Sequence, residues 1–489
     1  MPRAGRILVT GATGYVGDCL VPRLLAHGYP VRVLARDVDR LRNRPWRSEV
    51  QVCEGDVGET SSLEASVSGI DIAYYLTHSM TAGGRFAQRD VDLATKFARA
   101  ARAAGVRRII YLGGLGEPGP ALSEHLRSRQ ETGATLARAG VPVTELRAAV
   151  IVGAGSISFE MIRYLTERIP LMICPRWVFR RIQPIAIVDV LAYLVAALED
   201  RGDESRIIEI GGADVVTYGA MLKGYARRRG LWRILLPVPV LTPKLSSHWV
   251  HWTTPVPAAY ARPLIEGLRS EVVVANDSAS QMFGSVHPIG YDESLWRALE
   301  ELHPDHFEQV AASIRELLIS TGGSRCVRTD RGMIVEVWRK TVRARPPVVW
   351  RAFCRLGGAY GWLHMNWAWR LRASLDRLVG GASWRRNRPA RDSLREGDRL
   401  DFFRVEAIEP ERSLLLRVEM KLPGAGWLQF ETRPLNEETS ELTQTIFYAP
   451  RGLFGLLYWY LISPVHRLIF AGLLKKLADR AEAENAGHS

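Results

Sequence analysis

The stretch Arg6-Ile-Leu-Val-Thr-Gly-Ala-Thr-Gly-Tyr-Val-Gly17 constrains the fold more than any other part of this 489-residue chain. Ile7 to Thr10 reads as a short buried strand. Gly11, Gly14 and Gly17 follow as G-x-x-G-x-x-G, and Cys19, Leu20, Leu24 and Leu25 then recur at helical spacing. A strand that turns sharply into a helix needs glycine at the turn. A backbone that approaches a pyrophosphate needs a position without Cβ, and a helix lying close on its strand needs another. The helix N-terminus adds free N–H groups and the positive end of its dipole. Gly11, Thr13, Gly14, Tyr15 and Gly17 are therefore the first candidates for holding a dinucleotide.

Strand and helix patterns alternate after the loop: strands at 31–35, 50–53, 71–76, 108–112 and 143–146, with helical segments between them. That order predicts an α/β, doubly wound parallel sheet of the Rossmann type. Strand two ends in Arg36-Asp37. An acid there would hold the 2′-hydroxyl of NAD, whereas an arginine would pair with the 2′-phosphate of NADP. Arg36 favours NADP, with NAD the lesser alternative. Asp56 and Val57 follow strand three, where an acid could accept a hydrogen bond from the adenine amino group or cap the next helix. Thr77, His78 and Ser79 follow strand four and would lie over the cofactor's ribose and phosphates.

Apolar residues make up 47% of the chain, enough for cores, and the length suits two large domains or three. A formal charge of +13 suits acidic partners such as a phosphorylated cofactor or an anionic membrane surface. No nucleic-acid module is recognisable, so no nucleic-acid partner is expected. Five scattered cysteines, never in C-x-x-C, argue for reduced thiols in the cytoplasm and against a metal site. The N-terminus carries no secretory signal pattern.

Thr10 to Gly17, Ala104-Gly-Val-Arg-Arg-Ile-Ile-Tyr111 and Leu146-Arg-Ala-Ala-Val-Ile-Val-Gly153 resemble the atypical, NmrA-like branch of the short-chain dehydrogenase/reductase superfamily. Tyr111-Leu-Gly-Gly-Leu-Gly116, Glu124-His-Leu-Arg-Ser-Arg129 and Phe159-Glu-Met-Ile-Arg-Tyr164 resemble, more closely, bacterial NAD(P)H-binding proteins that end in a DUF2867 domain. So do Pro175-Arg-Trp177 and Gln183-Pro-Ile185. The resemblance implies a catalytic Tyr-x-x-x-Lys, a preceding serine and an upstream asparagine. Matched residue by residue, the asparagine falls on Asp90, the serine on Gly113 or Gly114, the tyrosine on His125 and the lysine on Arg129. All four positions depart, although His125 and Arg129 keep the i,i+4 spacing that puts them on one helix face. His125 is the candidate proton donor and Arg129 a candidate holder of ribose oxygens. The neighbouring guanidinium should lower the imidazole pKa. The turn Gly153 to Ser156 should close on the nicotinamide end.

A substrate-side lobe is expected over about 155–318. Its segment 231–263, rich in Pro and Trp with Trp249 and Trp252, suggests an apolar ligand or ordinary core packing. Ile319 to Ser324 reads as a linker, dividing a domain at 1–320 from one at 329–489. The second resembles the START/SRPBCC helix-grip fold, an α+β arrangement of a curved antiparallel sheet around a C-terminal helix, which implies an apolar or lipid-like ligand. Arg385 to Arg391, beside Trp384, is a basic cluster suited to an anion or to a solvated loop. Gly452 to Leu474 is long enough to cross a bilayer but contains Pro464, His466 and Arg467. The expectation is a helix buried by the sheet and kinked or restarted at Ser463-Pro464. A peripheral membrane contact through Tyr458-Trp-Tyr460 at the inner face of the membrane is the alternative. Two functions follow: an NADP-dependent oxidoreductase acting on an apolar small molecule, or a non-catalytic NAD(P)H-binding sensor or membrane-associated accessory protein linked to respiration or quinones.

Overall fold

Ile7–Thr10 forms β1, wholly buried, near the middle of a seven-stranded parallel sheet. The computed structural model describes residues 5–78, 86–117, 119, 122–238, 258–267, 270–378 and 393–487. The chain divides into two units, Met1–Glu301 and Leu302–Ser489. In the first, β1 is followed by α1 (Tyr15–Ala26), β2 (Val31–Ala35), β3 (Gln51–Glu54), α2 (Thr60–Val67) and β4 (Ile72–Tyr75). Then come α3 (Phe86–Ala103), β5 (Arg108–Gly114), α4 (Glu124–Arg138) and β6 (Val143–Ala148). The spatial order is β3, β2, β1, β4, β5, β6 and finally the strand Arg206–Ile210, each neighbour parallel.

Period-two alternation builds a core on each face of this sheet. Ile7 and Val9 pack with Leu20, Leu24 and the helix α6 (Ile187–Ala196) on one face. Leu8, Leu34 and Tyr75 pack with Leu63, Phe97 and Leu136 on the other. The chain runs outward from β1 to β3 and returns to β4, so the crevice between β1 and β4 opens at the strands' carboxyl ends, where such sheets bind ligands. A third core joins α5 (Ile157–Arg168) to the helix Tyr218–Arg228 through Phe159, Ile162, Met221 and Tyr225. It forms a lobe beyond β6. Trp249 and Trp252 lie outside the described residues, as does Ser79.

The second unit is a seven-stranded antiparallel sheet with helices. Its strand order is Arg325–Asp330, Met333–Val342, Ser440–Pro450, Gly424–Pro434, Ser413–Val418, Phe403–Glu409 and Arg399–Leu400. The helix Glu308–Thr321 covers one face, setting Ala311, Ile314 and Leu318 against Val335, Val337 and Phe447. The unit boundary therefore falls before this helix and not at the linker expected from Ile319 to Ser324. The glycine that suggested a linker, Gly322, is the helix's C-cap at φ +66°. The other face packs on the helix Pro346–Cys354 and on the C-terminal part of a 35-residue helix, Gly452–Ala486.

That long helix corrects two expectations. The restart expected at Ser463-Pro464 is absent, since one helix runs through Pro464. The missing N–H there leaves the carbonyl of Tyr460, an exposed residue that water can reach. The sheet also buries only part of it: Ile469, Phe470, Leu473, Leu474 and Leu477 are core, whereas Phe454 is 81% and Leu461 79% exposed. Among the described residues this is the one helix long and apolar enough to cross a membrane. Trp384 and the Arg385 to Arg391 cluster lie outside the described residues.

Candidate functional site

The glycine loop is dictated by close backbone approach at two of its three positions. Gly11 takes φ +73°, and a Cβ there would lie 2.7 Å from the Leu76 carbonyl oxygen. A Cβ on Gly17 would lie 2.4 Å from the Gly11 carbonyl oxygen and 2.8 Å from the Ala12 Cα. Gly14 differs, since its Cβ would meet only the Gly11 oxygen, at 3.2 Å. It is the N-cap of α1 with no side-chain cap bond, which leaves the helix's leading N–H groups to be met from the cleft. Thr13, Gly14, Tyr15 and Gly17 line a cleft of about 530 Å³ at the carboxyl ends of β1, β4, β5 and β6. A bare glycine and an uncapped helix end fit a dinucleotide's phosphates.

Arg36 enters the same cleft from the end of β2 and pairs with Asp56 at 3.7 Å. Arg40, in the short 3₁₀ helix Val38–Leu41 that follows, lines it as well. Sequence reasoning missed Arg40, although an arginine four residues after Arg36 was a readable signal. Asp37 is turned to local use: its carboxylate accepts from the Asp39 N–H at 3.1 Å. Asp56 likewise accepts from the Gly58 N–H at 2.7 Å, and the Val57 side chain joins the core with Leu8 and Leu34. The structure therefore puts Asp56 beside the cleft through Arg36 and leaves the Val57 side chain out of it. Thr77 follows Leu76 on the loop that crowds Gly11, half-buried, and does not line the cleft.

His78, His125 and Arg129 come together on the cleft wall. Ser123 caps α4, accepting from the Leu126 N–H at 3.3 Å, and so sets His125 in the helix's first turn. The two imidazoles stand 5.0 Å apart, centroid to centroid. His78 Nδ1 lies 3.1 Å from Asp90 Oδ2, while His78 Nε2 is buried without a partner among the described residues. This contact was not legible in sequence, because the two lie twelve positions apart, a separation that matches no local pairing. Burial, the His78 ring and the Arg129 guanidinium hold His125 down to about 3 against the opposing pull of Asp90. His125 is thus neutral at pH 7: it can donate an N–H hydrogen bond but is not a charged acid. Burial also lowers His78, and the Asp90 hydrogen bond works against that shift. Arg129 donates to the Leu112 carbonyl and lies over the Tyr111 ring, 5.5 Å from its centroid, so part of its fork is spent on the scaffold.

The absent serine has a steric counterpart. A Cβ on Gly113 would lie 2.7 Å from Glu145 Oε1, and one on Gly114 would lie 2.7 Å from Leu126 Cδ2. Glu145 is buried and held by Arg147 at 2.7 Å. Burial raises its pKa while that arginine lowers it. Ile157, Ile182, Leu264 and Val272 supply apolar lining to the cleft, and Ser156 and Ser158 line it too. A Cβ on Gly153 would strike the Tyr15 hydroxyl, so that tyrosine lies across the turn at Gly153 to Ser156.

Residues 11–148 match a family described as NAD(P)H-binding, and residues 329–473 match the protein family of unknown function DUF2867. The chain is 32% identical over 219 residues to a Streptomyces griseus protein, (4-alkanoyl-5-oxo-2,5-dihydrofuran-3-yl)methyl phosphate reductase. The match covers 43% of this chain and 69% of that one. It is 30% identical over 243 residues to ceramide reductase of Caulobacter vibrioides, covering 48% of this chain and 74% of that one. Among solved structures, a Citrobacter triphenylmethane reductase superposes with a TM-score of 0.48 at 17% identity, covering 60% of this chain and 99% of that one.

Proposed function

This chain belongs to the NAD(P)H-binding, NmrA-like branch of the atypical short-chain dehydrogenase/reductase superfamily, and on that premise we propose that it is an NADPH-dependent reductase of an apolar carbonyl compound. The observation that carries the reading is His78 on the wall of the glycine-loop cleft, its Nδ1 held by Asp90 and its Nε2 buried without a partner among the described residues. Bound in this cleft, the nicotinamide would supply hydride chemistry. The chain's own part is to hold the substrate oxygen and move its proton. Asp90 accepts from Nδ1–H of His78 and favours its charged ring, which would give the Nε2–H proton to the oxygen as hydride arrives and be left neutral. Neutral His125 donates an N–H hydrogen bond that polarises the carbonyl without carrying charge itself. The lining of Ile157, Ile182, Leu264 and Val272 suits an apolar substrate, and one relative's name specifies ceramide.

With a panel of carbonyl compounds and quinones and NADPH, His78→Ala should lower kcat/KM by roughly a hundredfold, with NADPH binding kept. Asp90→Asn should fall between it and the unaltered protein. Unchanged turnover in His78→Ala would sink the assignment. Tight NADPH binding with no turnover of any compound would favour the other reading, a non-catalytic NAD(P)H sensor or accessory protein. The closed space at Gly113 and Gly114 speaks for that reading.

Cofactor choice rests on Arg36 and Arg40, with Asp37 engaged elsewhere. NADPH should bind tighter than NADH by about ten- to a hundredfold in a fluorescence titration, and Arg36→Ala/Arg40→Ala should erase the difference. Tighter NADH binding in the unaltered protein would overturn this.

For the second unit we propose a helix-grip cradle for a lipid-like ligand. Gln444 is 0% exposed, with neither amide atom partnered among the described residues. It lies directly opposite Trp338, whose Nε1 is also unpartnered. Unmet donors and an unmet acceptor inside an apolar core are costly unless something fills them.

A further inference from the structure

Phe454, Leu457, Leu461, Val465 and Leu468 are exposed on the long C-terminal helix, at successive spacings of three, four, four and three residues. That rhythm puts them in one stripe, about 21 Å long at 1.5 Å per residue. The stripe is not a frayed end. On the helix's other side Trp459 is buried and stacks on Tyr448 at 5.5 Å, and a Cβ on Gly455 would lie 2.4 Å from the Pro423 carbonyl oxygen. The helix is therefore pinned to the sheet with its apolar stripe turned outward.

Along the stripe, as far as Ala478, the helix carries charge of one sign, and the first acid beyond it, Asp479, is paired with Lys340 at 4.0 Å. No acidic residue occurs from Gly452 to Ala478. Arg451 and Arg467 are exposed, and so are Lys475 and Lys476, with Lys475 two turns beyond Leu468 on the stripe's own line. An apolar face ending in lysine and arginine matches a bilayer's acyl boundary and its anionic headgroups. The helix cannot span. Ile469, Phe470, Leu473 and Leu474 are committed to the unit's core, and the 17 helical residues before them reach only about 26 Å against a hydrocarbon thickness of about 30 Å.

We propose that this stripe docks the second unit on an anionic phospholipid surface, with the helix lying in the plane of the interface. The inference is independent of the reductase reading. The test is flotation of the full chain with vesicles of phosphatidylcholine alone and of phosphatidylcholine with about a quarter phosphatidylglycerol. The unaltered protein should float with the anionic vesicles, less so at high salt, and poorly with the neutral ones. Leu457→Asp/Leu461→Asp, at exposed positions, should lower partitioning by at least about tenfold while the circular dichroism spectrum is kept. Lys475→Glu/Lys476→Glu should remove the salt-sensitive part. Failure of the unaltered protein to float overturns the proposal, as does flotation of the Leu457→Asp/Leu461→Asp variant at the original level. So does a dimer seen by light scattering that the same variant dissociates without any vesicle binding, since the occupant would then be a second copy.

Discussion

Gly17→Ala should abolish measurable dinucleotide binding and destabilise the first unit by about 3 kcal/mol or more. The added methyl would lie 2.4 Å from the Gly11 carbonyl oxygen and 2.8 Å from the Ala12 Cα. Both are backbone atoms, so no side chain can swing away, and α1 must lift off β1. Lifting the helix moves the uncapped N-terminus that faces the cleft. It also opens the core that Leu20 and Leu24 share with Ile7 and Val9. Gly14→Ala makes the contrast. Its methyl meets one protein atom at 3.2 Å, so folding should be nearly unchanged while NADPH binding still falls, because the methyl occupies the phosphate's side. Calorimetric titration with NADPH beside thermal unfolding separates the two. A Gly17→Ala protein that binds NADPH normally would refute the role given to the loop.

The second large effect should come from Asp200→Ala, at about 3–5 kcal/mol. Arg108, at the start of β5, is 1% exposed, and Asp200 is 3% exposed with its carboxylate 3.0 Å away. Thr144 of β6 accepts from Arg108 at 2.8 Å and donates to Asp200 at 2.9 Å, and Arg108 also donates to the Gly202 carbonyl. Removing the carboxylate leaves a buried guanidinium without the ion-pair partner that touches it, where β5 lies beside β6. Hydrogen–deuterium exchange of the β5 and β6 amides should then accelerate together. Glu293→Ala breaks the Arg297–Glu293 pair, whose side chains are about half exposed, and should cost under about 0.5 kcal/mol. Equal effects from the two variants would show that burial does not set the worth of the Arg108 pair.

Much of this architecture was legible because its signals are local. The four-residue strand before Gly11, the helix after Gly14 and the strand Met333–Val342 lie where apolar alternation and glycine position put them. What escaped was tertiary. Gly322 reads equally as a linker or as a C-cap until the helix before it is seen packed on the second sheet. Leu461 and Leu473 share one helix and one composition, yet one is exposed and the other is core, since composition cannot report which stretch the sheet covers. In the site, the His125 and Arg129 spacing was readable at i,i+4, whereas the Asp90–His78 contact joins positions twelve apart, which no helical or strand period reports. The ambiguity of Arg36-Asp37 needed coordinates as well, to find Asp37 occupied by the Asp39 amide.

The filled space beside Gly113 and Gly114 makes the departure from the superfamily's usual machinery hard to reverse. A lone Gly113→Ser change would press on a Glu145 side chain gripped by Arg147, and Gly133 on the neighbouring helix is small for the same carboxylate's sake. Gly114→Ser would displace Leu126 from beside its neighbour His125. An engineer placing serine at Gly113 would have to treat Glu145 and Arg147 as one unit with it, whereas at Gly114 the Leu126 methyl alone must give way.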